Sequence, residues 1–284
     1  MKPILVPTDF SRCAQNAIDY AVSIATKTKA EIILLHVGRE INDIDDISEA
    51  RSFPFGDTET REQMELIIEH QRFIHSDFPE MEIHYVLKQG DVVDETIRTS
   101  AEKKAGLVVM GTQGATKLST YLLGSNTANV INKSNIPVLA IPQSAKYIRF
   151  DKIALATDLH EMDDYSVFDP LIEIALLFSS KVEIITVHQT DADMLHYYEL
   201  FEKVDIDKMF RKMNIPYEFQ KVVNSNIAEG VHNFVKNSDA DLLVTIPQKH
   251  NFLALLFNTS LTRELVFHND IPVLALPDAN NKSI

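Results

Sequence analysis

The sequence has few of the residues that would indicate a disulfide-stabilised, metal-clustered or nucleic-acid-binding protein. Its 284 residues include one cysteine, Cys13, so neither an intrachain disulfide nor a zinc site built from several cysteines can form. There are 27 lysines and arginines against 41 aspartates and glutamates, which gives a net charge of −14. This excess of acidic residues argues against nucleic acid as a partner, because duplex binding relies on lysine and arginine to neutralise phosphates.

Long apolar runs are also missing. Stretches such as Phe252–Phe257 are far shorter than the roughly 18 residues that a membrane-spanning helix needs. The N-terminal run Ile4–Val6 soon meets Asp9, a pattern that does not fit a secretory signal peptide. Hydrophobic residues make up 45% of the chain and charged residues 24%, so there is enough apolar material for a globular core. We therefore expect a cytoplasmic protein with no membrane partner.

The chain contains an internal repeat, which is the strongest signal of its organisation. Three blocks of the first half recur in the same order in the second half: Ile4–Asp9 with Ile153–Asp158, Glu31–His36 with Glu183–His188, and Asn135–Pro142 with Asp270–Pro277. Three matching blocks in one order predict a tandem duplication joined near 143–150. The predicted domains are residues 1–145 and residues 150–284.

Each half alternates short apolar runs with longer amphipathic ones. The runs of the first half are rich in Ile, Leu and Val and mostly lack in/out alternation, as expected for strands buried on both faces; they are Ile4–Val6, Ile32–His36, Ile83–Leu87, Leu107–Met110 and Val138–Ile141. The second half repeats the order near 153–157, 182–188, 217–222, 242–246 and 273–276.

Helical patterns fill the spaces between these runs. Ser11–Thr26 carries an apolar stripe at helical spacing, with Ser11 as its candidate N-cap, and Val92–Lys103 and Glu59–Ser76 are further helices. Such alternation predicts an α/β fold: two tandem doubly wound domains, each with a parallel sheet and helices on both faces.

Three of the eight glycines fall in one segment after the fourth strand of the first half. Met110-Gly111-Thr112-Gln113-Gly114 is followed by nine residues and then by Gly124-Ser125-Asn126-Thr127, which opens a helix running to about Lys133. Glycine lets backbone approach a phosphate closely, and a helix N-terminus offers free N–H groups and a favourable dipole. The segment predicts a polyphosphate site that uses no lysine, although the same glycines would also suit a tight turn and a helix cap.

The residues quoted so far resemble the universal stress protein family. The resemblance rests on Pro7-Thr8-Asp9-Phe10-Ser11, on Leu34-Leu35-His36-Val37 and on the pattern Gly111-x2-Gly114-x9-Gly124-Ser125, which is similar to that of the family's ATP-binding members. It covers both halves and implies five parallel strands in the order 3-2-1-4-5 in each. It also implies an adenine nucleotide as ligand, namely ATP, ADP or AMP, and is compatible with Mg2+ beside it.

The resemblance further implies which residues would hold the nucleotide. Pro7, Thr8 and Asp9 would border the adenosine, with Asp9 near the ribose, and Val37 would line the adenine pocket. Met110, Gly111, Gln113 and Gly114 would wrap the ribose and phosphates. The phosphates themselves would lie against Gly124, Ser125, Asn126 and Thr127, where Asn126 stands in place of the apolar residue common in the family.

The second half departs from this pattern. A gapless alignment places Ile246 opposite Gly111, Lys249 opposite Gly114 and Thr259 opposite Gly124, and side chains at these positions would crowd a phosphate. The nearby Phe252–Phe257 is strongly apolar. This degenerate site suits an altered ligand site, a partner surface or a helix that fills the vacated pocket. No metal site is assigned to either half, and Cys13 is expected to be buried.

No catalytic residue is assigned, since the chain has neither a G-x-x-x-x-G-K-[ST] loop nor a paired nucleophile and base. We expect a cytoplasmic stress-response protein whose first half binds ATP and acts as a nucleotide-regulated binding module, with at most weak ATP hydrolysis. The alternatives are a slow ATPase, a hydrolase or transferase that uses the second half's altered site, and an interaction protein whose nucleotide site is vestigial.

The two halves are expected to pack as an intramolecular pseudo-dimer through the edge strands Val138–Ile141 and Val273–Leu276. A homodimer of whole chains and the identity of a protein partner stay open at the level of sequence.

Overall fold

The computed structural model of the chain describes residues 2–38, 58–113, 124–146, 149–157, 165–190, 206–246 and 271–277. The first half runs β1 (Ile4–Pro7), α1 (Arg12–Thr28), β2 (Ile32–Gly38), α2 (Thr58–Ile74), β3 (Ile83–Gln89), α3 (Val92–Glu102), β4 (Leu107–Gly111), α4 (Ser125–Lys133) and β5 (Val138–Ile141).

The second half repeats this alternation. It runs β6 (Lys152–Ala156), a 3-10 turn (Tyr165–Phe168), α5 (Asp169–Phe178), β7 (Lys181–His188), α6 (Ile206–Lys212), β8 (Tyr217–Val223), α7 (Ile227–Ser238), β9 (Leu242–Thr245) and β10 (Val273–Ala275). Each predicted strand is present, with bounds that differ by a few residues at most.

The ten strands form one sheet in the order β3-β2-β1-β4-β5-β10-β9-β6-β7-β8. Neighbouring strands within each half are parallel, and the first half has the order 3-2-1-4-5, which confirms the predicted α/β fold class. The second half has the same order in its own strands. β1 and β5 are buried along their whole length, whereas the edge strands β3 and β8 are partly exposed.

Helix α1 begins and ends as its sequence predicts. The Ser11 side chain accepts a hydrogen bond from the Ala14 N–H and so caps the helix, and Lys29 ends it in the left-handed conformation at φ 55°. Its apolar stripe, which includes Ala17, Ile18 and Ala21, is buried in the core.

The register of the strands corrects one of the sequence alignments. The matching of Glu31–His36 with Glu183–His188 is wrong by two residues, because β1 pairs Ile4 with Ile32 while β6 pairs Ile153 with Val182. Thr186, and not His188, therefore occupies the position of His36. The error left no trace in the hydrophobic pattern, since side chains along a strand repeat every two residues.

The halves meet where β5 pairs with β10. This pair is antiparallel, with Leu139 opposite Leu274 and Ala140 opposite Val273. The connection that follows β5 lies along α1, where the Asn16 Nδ2 donates to the carbonyls of Pro142 and Ala145, both at 2.8 Å.

Aromatic side chains continue this contact toward the second half. The Tyr20 hydroxyl donates to the Lys146 carbonyl at 2.8 Å, and its ring stacks on Phe150 with centroids 6.2 Å apart. Phe150 in turn meets Phe178 of α5 edge-on at 5.1 Å, and the ammonium of Lys27 lies 5.4 Å from the centre of the Phe178 ring. Helix α1 thus contacts both the connection and the second half.

Within the described ranges, no helix is both long enough and apolar enough to cross a membrane.

Loss of the α1 cap has a predictable effect on stability. We expect Ser11→Ala to lower the free energy of unfolding by about 1 kcal/mol, because the Ala14 N–H loses its acceptor. Urea denaturation followed by circular dichroism measures the change. Ser11→Asp keeps an acceptor at the cap and serves as the control, so equal loss in both variants would contradict the capping role.

Candidate functional site

A cavity opens in the first half at the carboxyl ends of β1, β2 and β4. Its lining residues come from the loops after these strands and from the first turns of α1, α3 and α4: Pro7, Thr8, Asp9, Ala14, Leu35, Val37, Val92, Met110, Gly111, Thr112, Gln113, Gly124, Ser125, Asn126 and Thr127. The cavity lies where β1 has β2 on one side and β4 on the other, which is the topological switch point of the sheet.

The structure brings together the predicted site residues that it describes. Each of them lines this cavity, while Gly114 lies outside the described residues. The cavity has a volume of about 180 Å³, below the roughly 300–1,000 Å³ typical of small-molecule sites. Residues 114–123, which belong to the predicted phosphate loop, also lie outside the description.

Four lining residues were missed at the level of sequence. Ala14 belongs to the first turn of α1, Leu35 precedes Val37 in β2, Val92 opens α3, and Thr112 lies between two predicted residues. Val92 lies three residues after β3 ends, so a search of every strand's carboxyl end would have found it. Ala14 is one turn into a helix, and its place at the cavity depends on the angle at which α1 leaves β1.

The loop between β1 and α1 is held by its own side chains. The Thr8 hydroxyl accepts a hydrogen bond from the Phe10 N–H at 3.1 Å, and the Asp9 carboxylate accepts one from the Ser11 N–H at 3.1 Å. Phe10 adopts φ 63°, a left-handed conformation that costs about 1–3 kcal/mol for a residue other than glycine. Its partly buried ring packs against the core. Asp9 is exposed beside the cavity, as a ligand contact requires.

Gly111 allows a close approach between β4 and α1. A Cβ added at Gly111 would lie 2.8 Å from the Cys13 Sγ and 3.0 Å from the Cys13 carbonyl oxygen. Close packing against Cys13 is therefore sufficient to explain the missing side chain, whereas the sequence had suggested a tight turn or a phosphate contact. This packing determines the distance between β4 and α1, which form two walls of the cavity.

Cys13 is a buried structural thiol. Its side chain is almost wholly inaccessible, and its Sγ lies 3.4 Å from the Ile141 carbonyl oxygen, to which the thiol donates. Burial raises the pKa of the Cys13 thiol, against the opposing effect of hydrogen bonds from Gln113 and Thr112. The buried interpretation is confirmed, and Cys13 is a poor nucleophile at neutral pH.

The N-terminus of α4 forms another wall of the cavity. Gly124 is the N-cap, Ser125 and Asn126 are exposed, and the buried Thr127 donates from its hydroxyl to the Gly111 carbonyl at 2.8 Å. The first backbone N–H groups of a helix have no partner within it, and they carry the positive end of the helix dipole. No acidic residue stands in this first turn, and the described lining includes no lysine or arginine. An anion here would meet backbone N–H groups and hydroxyls.

The second half differs from the first at positions that correspond to the lining of the cavity. Ile246, which replaces Gly111, is buried. Val187 holds the position of Val37 in the strand register, and a Cβ on Gly230 of α7 would lie 2.6 Å from its Cγ1. Helix α7 therefore packs directly on the residue that corresponds to Val37.

Several residues singled out in the second half lie outside the described residues. They are Asp158, Lys249, Thr259 and Phe252–Phe257. Among the residues that are described, no three histidine, cysteine, aspartate or glutamate side chains come close enough to share a metal ion.

Known proteins were compared with the chain at the level of sequence and structure. The sequence model of the Universal stress protein family matches residues 1–142. A universal stress protein of Methanocaldococcus jannaschii is 33% identical over 152 residues, which cover 49% of this chain and 94% of that protein. A second one from the same organism is 28% identical over 145 residues, 51% of this chain and 84% of its own length.

The fold similarity extends over both halves. The crystal structure of a universal stress protein from Archaeoglobus fulgidus aligns with 99% of this chain and 97% of its own, with a TM-score of 0.69 and 18% identity. At 18% sequence identity this match is evidence for the fold alone. The fold follows the solved structure throughout and the family's sequence model covers residues 1–142, so the chain belongs to the universal stress protein family.

Proposed function

We propose that the first domain, residues 1–145, binds an adenine nucleotide in the cavity between β1 and β4. ATP is the proposed ligand, with ADP and AMP as smaller forms of the same chemistry and Mg2+ as a compatible ion beside the phosphates. In this proposal the protein is a cytoplasmic stress-response protein that works as a nucleotide-regulated binding module.

One observation carries the proposal. The α4 N-terminus and the Ser125 hydroxyl line the same cavity as Asp9 and Val37, which come from the other side of the switch point. The helix N-terminus and its hydroxyl suit a phosphate chain, and Asp9 and Val37 suit a ribose and its base. One cavity therefore offers matching contacts to both ends of a nucleotide. The roles predicted from the sequence for the individual residues are part of this proposal.

Electrostatics support binding through the backbone. The chain carries a net charge of −14, so a polyphosphate is repelled by the protein as a whole and must be attracted locally. The dipole of α4 and its unpaired N–H groups supply that attraction without a basic side chain. The Ser125 hydroxyl beside them adds a direct hydrogen bond, whereas the Thr127 hydroxyl already donates to the Gly111 carbonyl.

The second domain, residues 150–284, is proposed to have lost nucleotide binding. Ile246 fills the position of Gly111, and α7 packs on Val187, which corresponds to the adenine wall. We propose that this domain serves the first as an intramolecular pseudo-dimer partner, through the antiparallel pair of β5 and β10.

Helix α1 provides a structural link between ligand occupancy of the cavity and the second domain. Ala14 in its first turn lines the cavity, and Asn16 and Tyr20 in the following turns bind the connection between the domains. A ligand that orders the first turn therefore stabilises the same helix that holds the connection. This arrangement suits a module whose association changes with nucleotide.

A negative charge introduced at the α4 N-terminus should weaken phosphate binding without weakening the fold. We expect Ser125→Asp to raise the Kd for ATP by about tenfold or more, because its carboxylate repels a phosphate chain at the helix N-terminus. Folding should not suffer, since an acidic residue in the first turn of a helix is favourable. Isothermal titration measures the affinity, and a thermal melt checks stability.

The matched control is Asn129→Asp, which adds the same charge one turn further along α4 on an exposed residue outside the cavity lining. Its affinity for ATP should stay within about twofold of the natural protein, since the effect of a helix N-terminus fades within one turn. Chromatography of nucleotide released from the denatured protein gives a second readout. No released nucleotide and no titration with ATP, ADP or AMP would contradict the proposed function.

Pairing of β5 with β10 in solution can be tested with one disulfide. Ala140 and Val273 are register partners, and opposed residues of antiparallel strands have the separation that a disulfide needs. We expect Ala140→Cys combined with Val273→Cys to form an intrachain bond on oxidation, seen as a faster-migrating monomer on a non-reducing gel.

The control pair is Val138→Cys with Val273→Cys, which is two residues out of register and should not close within the chain. The natural Cys13 is buried and does not interfere. A disulfide-linked dimer from the first pair would show instead that β5 pairs with another chain, which would contradict the pseudo-dimer.

A further inference from the structure

His36, near the end of β2, reaches the loop that follows β1. Its Nδ1 lies 2.9 Å from the Thr8 carbonyl oxygen. A carbonyl oxygen can only accept a hydrogen bond, so Nδ1 is the nitrogen that carries the hydrogen. The side chain of one strand thus holds the backbone of the next loop, one residue after β1 ends.

The same imidazole supports the far side of that loop. The ring of Phe10 packs against it with centroids 4.7 Å apart and planes inclined by 34°. Phe10 has the left-handed backbone conformation, which an aromatic residue keeps only when its surroundings hold it there. His36 therefore contacts the loop at Thr8 and again at Phe10, on either side of Asp9.

Thr8 and Asp9 line the cavity, whereas His36 is not among the lining residues. The contacts of the His36 side chain with Thr8 and Phe10 link it to the loop that carries Thr8 and Asp9. A loop that is already fixed in its binding conformation loses less conformational freedom when a ligand arrives, and affinity rises for that reason.

The strand register of the second half places no histidine at this position. In the strand register the counterpart of His36 is Thr186, a buried hydroxyl that lies 3.1 Å from the Nε2 of His188. The histidine is therefore replaced in the half where Ile246 also replaces Gly111.

We propose that His36 is a positioning residue of the nucleotide site, which holds Thr8 and Phe10 so that the Thr8–Asp9 segment is ready for the nucleoside part of the ligand. This role rests on the proposed function, because it assigns the loop to nucleotide binding. His36 stabilises the bound state without touching the nucleotide.

The test compares two substitutions that differ in one hydrogen-bond donor. Asparagine places its Nδ2 close to where the Nδ1 of histidine lies, so His36→Asn keeps a donor for the Thr8 carbonyl, whereas His36→Leu removes it. We expect His36→Leu to raise the Kd for both ATP and AMP by about tenfold. His36→Asn should restore most of the affinity, to within about threefold of the natural protein.

The equal effect on ATP and AMP is the diagnostic part, since the loop is assigned to the nucleoside and not to the phosphates. His188→Leu is the matched control: it removes a histidine from the end of β7, the counterpart of β2 in the second half, and should leave both Kd values unchanged. Thermal melts of the ligand-free variants separate loss of affinity from loss of folded protein.

A readout without nucleotide tests the hydrogen bond itself. In protein with 15N-labelled histidine, the His36 signal, assigned by its absence in His36→Asn, should show hydrogen on Nδ1. Hydrogen on Nε2 alone would overturn the proposal, and so would equal weakening by His36→Asn and His36→Leu or an unchanged Kd in His36→Leu. If the natural protein binds neither ATP nor AMP, the proposed function itself fails and this role fails with it.

Discussion

The antiparallel pairing of β5 with β10 is the interaction on which the architecture depends. Each half ends in a short apolar strand that is fully buried, and each of these strands would otherwise be the unpaired edge of a five-stranded sheet. An exposed apolar edge offers backbone groups to any other strand and is a site of aggregation. Pairing the two edges with each other satisfies both within one chain. The edges that remain, β3 and β8, are partly exposed strands with charged and polar residues.

Helix α1 follows from this arrangement and serves two regions at once. Its first turn stands against β4 because Gly111 has no side chain, and its middle binds the connection that leaves β5. The cavity and the connection between the halves are thus separated by less than two turns of one helix. Buried side chains along α1 leave it little freedom to move at one end alone.

The fold was predictable because each buried strand is a short apolar run and each half repeats the other. The site was predictable at the ends of β1 and β4, where Thr8 and Asp9 follow one strand and Gly111 ends the other. Ala14 was missed because its position depends on the approach of α1, which no local pattern encodes. The alignment of His36 with His188 failed because a shift of two residues keeps every side chain on the same face of the strand. The packing of Gly111 on Cys13 joins residues about a hundred positions apart, and sequence spacing contains nothing of such a contact.

The antiparallel junction also determines at which edge of the sheet the carboxyl ends of each half's strands lie. Parallel strands in one half end at one edge of the sheet, and reversing direction at β5 and β10 places the carboxyl ends of the second half at the opposite edge. The cavity of the first half and the carboxyl ends of the strands of the second half therefore lie at opposite edges of one sheet. Any coupling between these two edges must pass through the shared sheet and helix α1, so it would span the whole width of the ten strands.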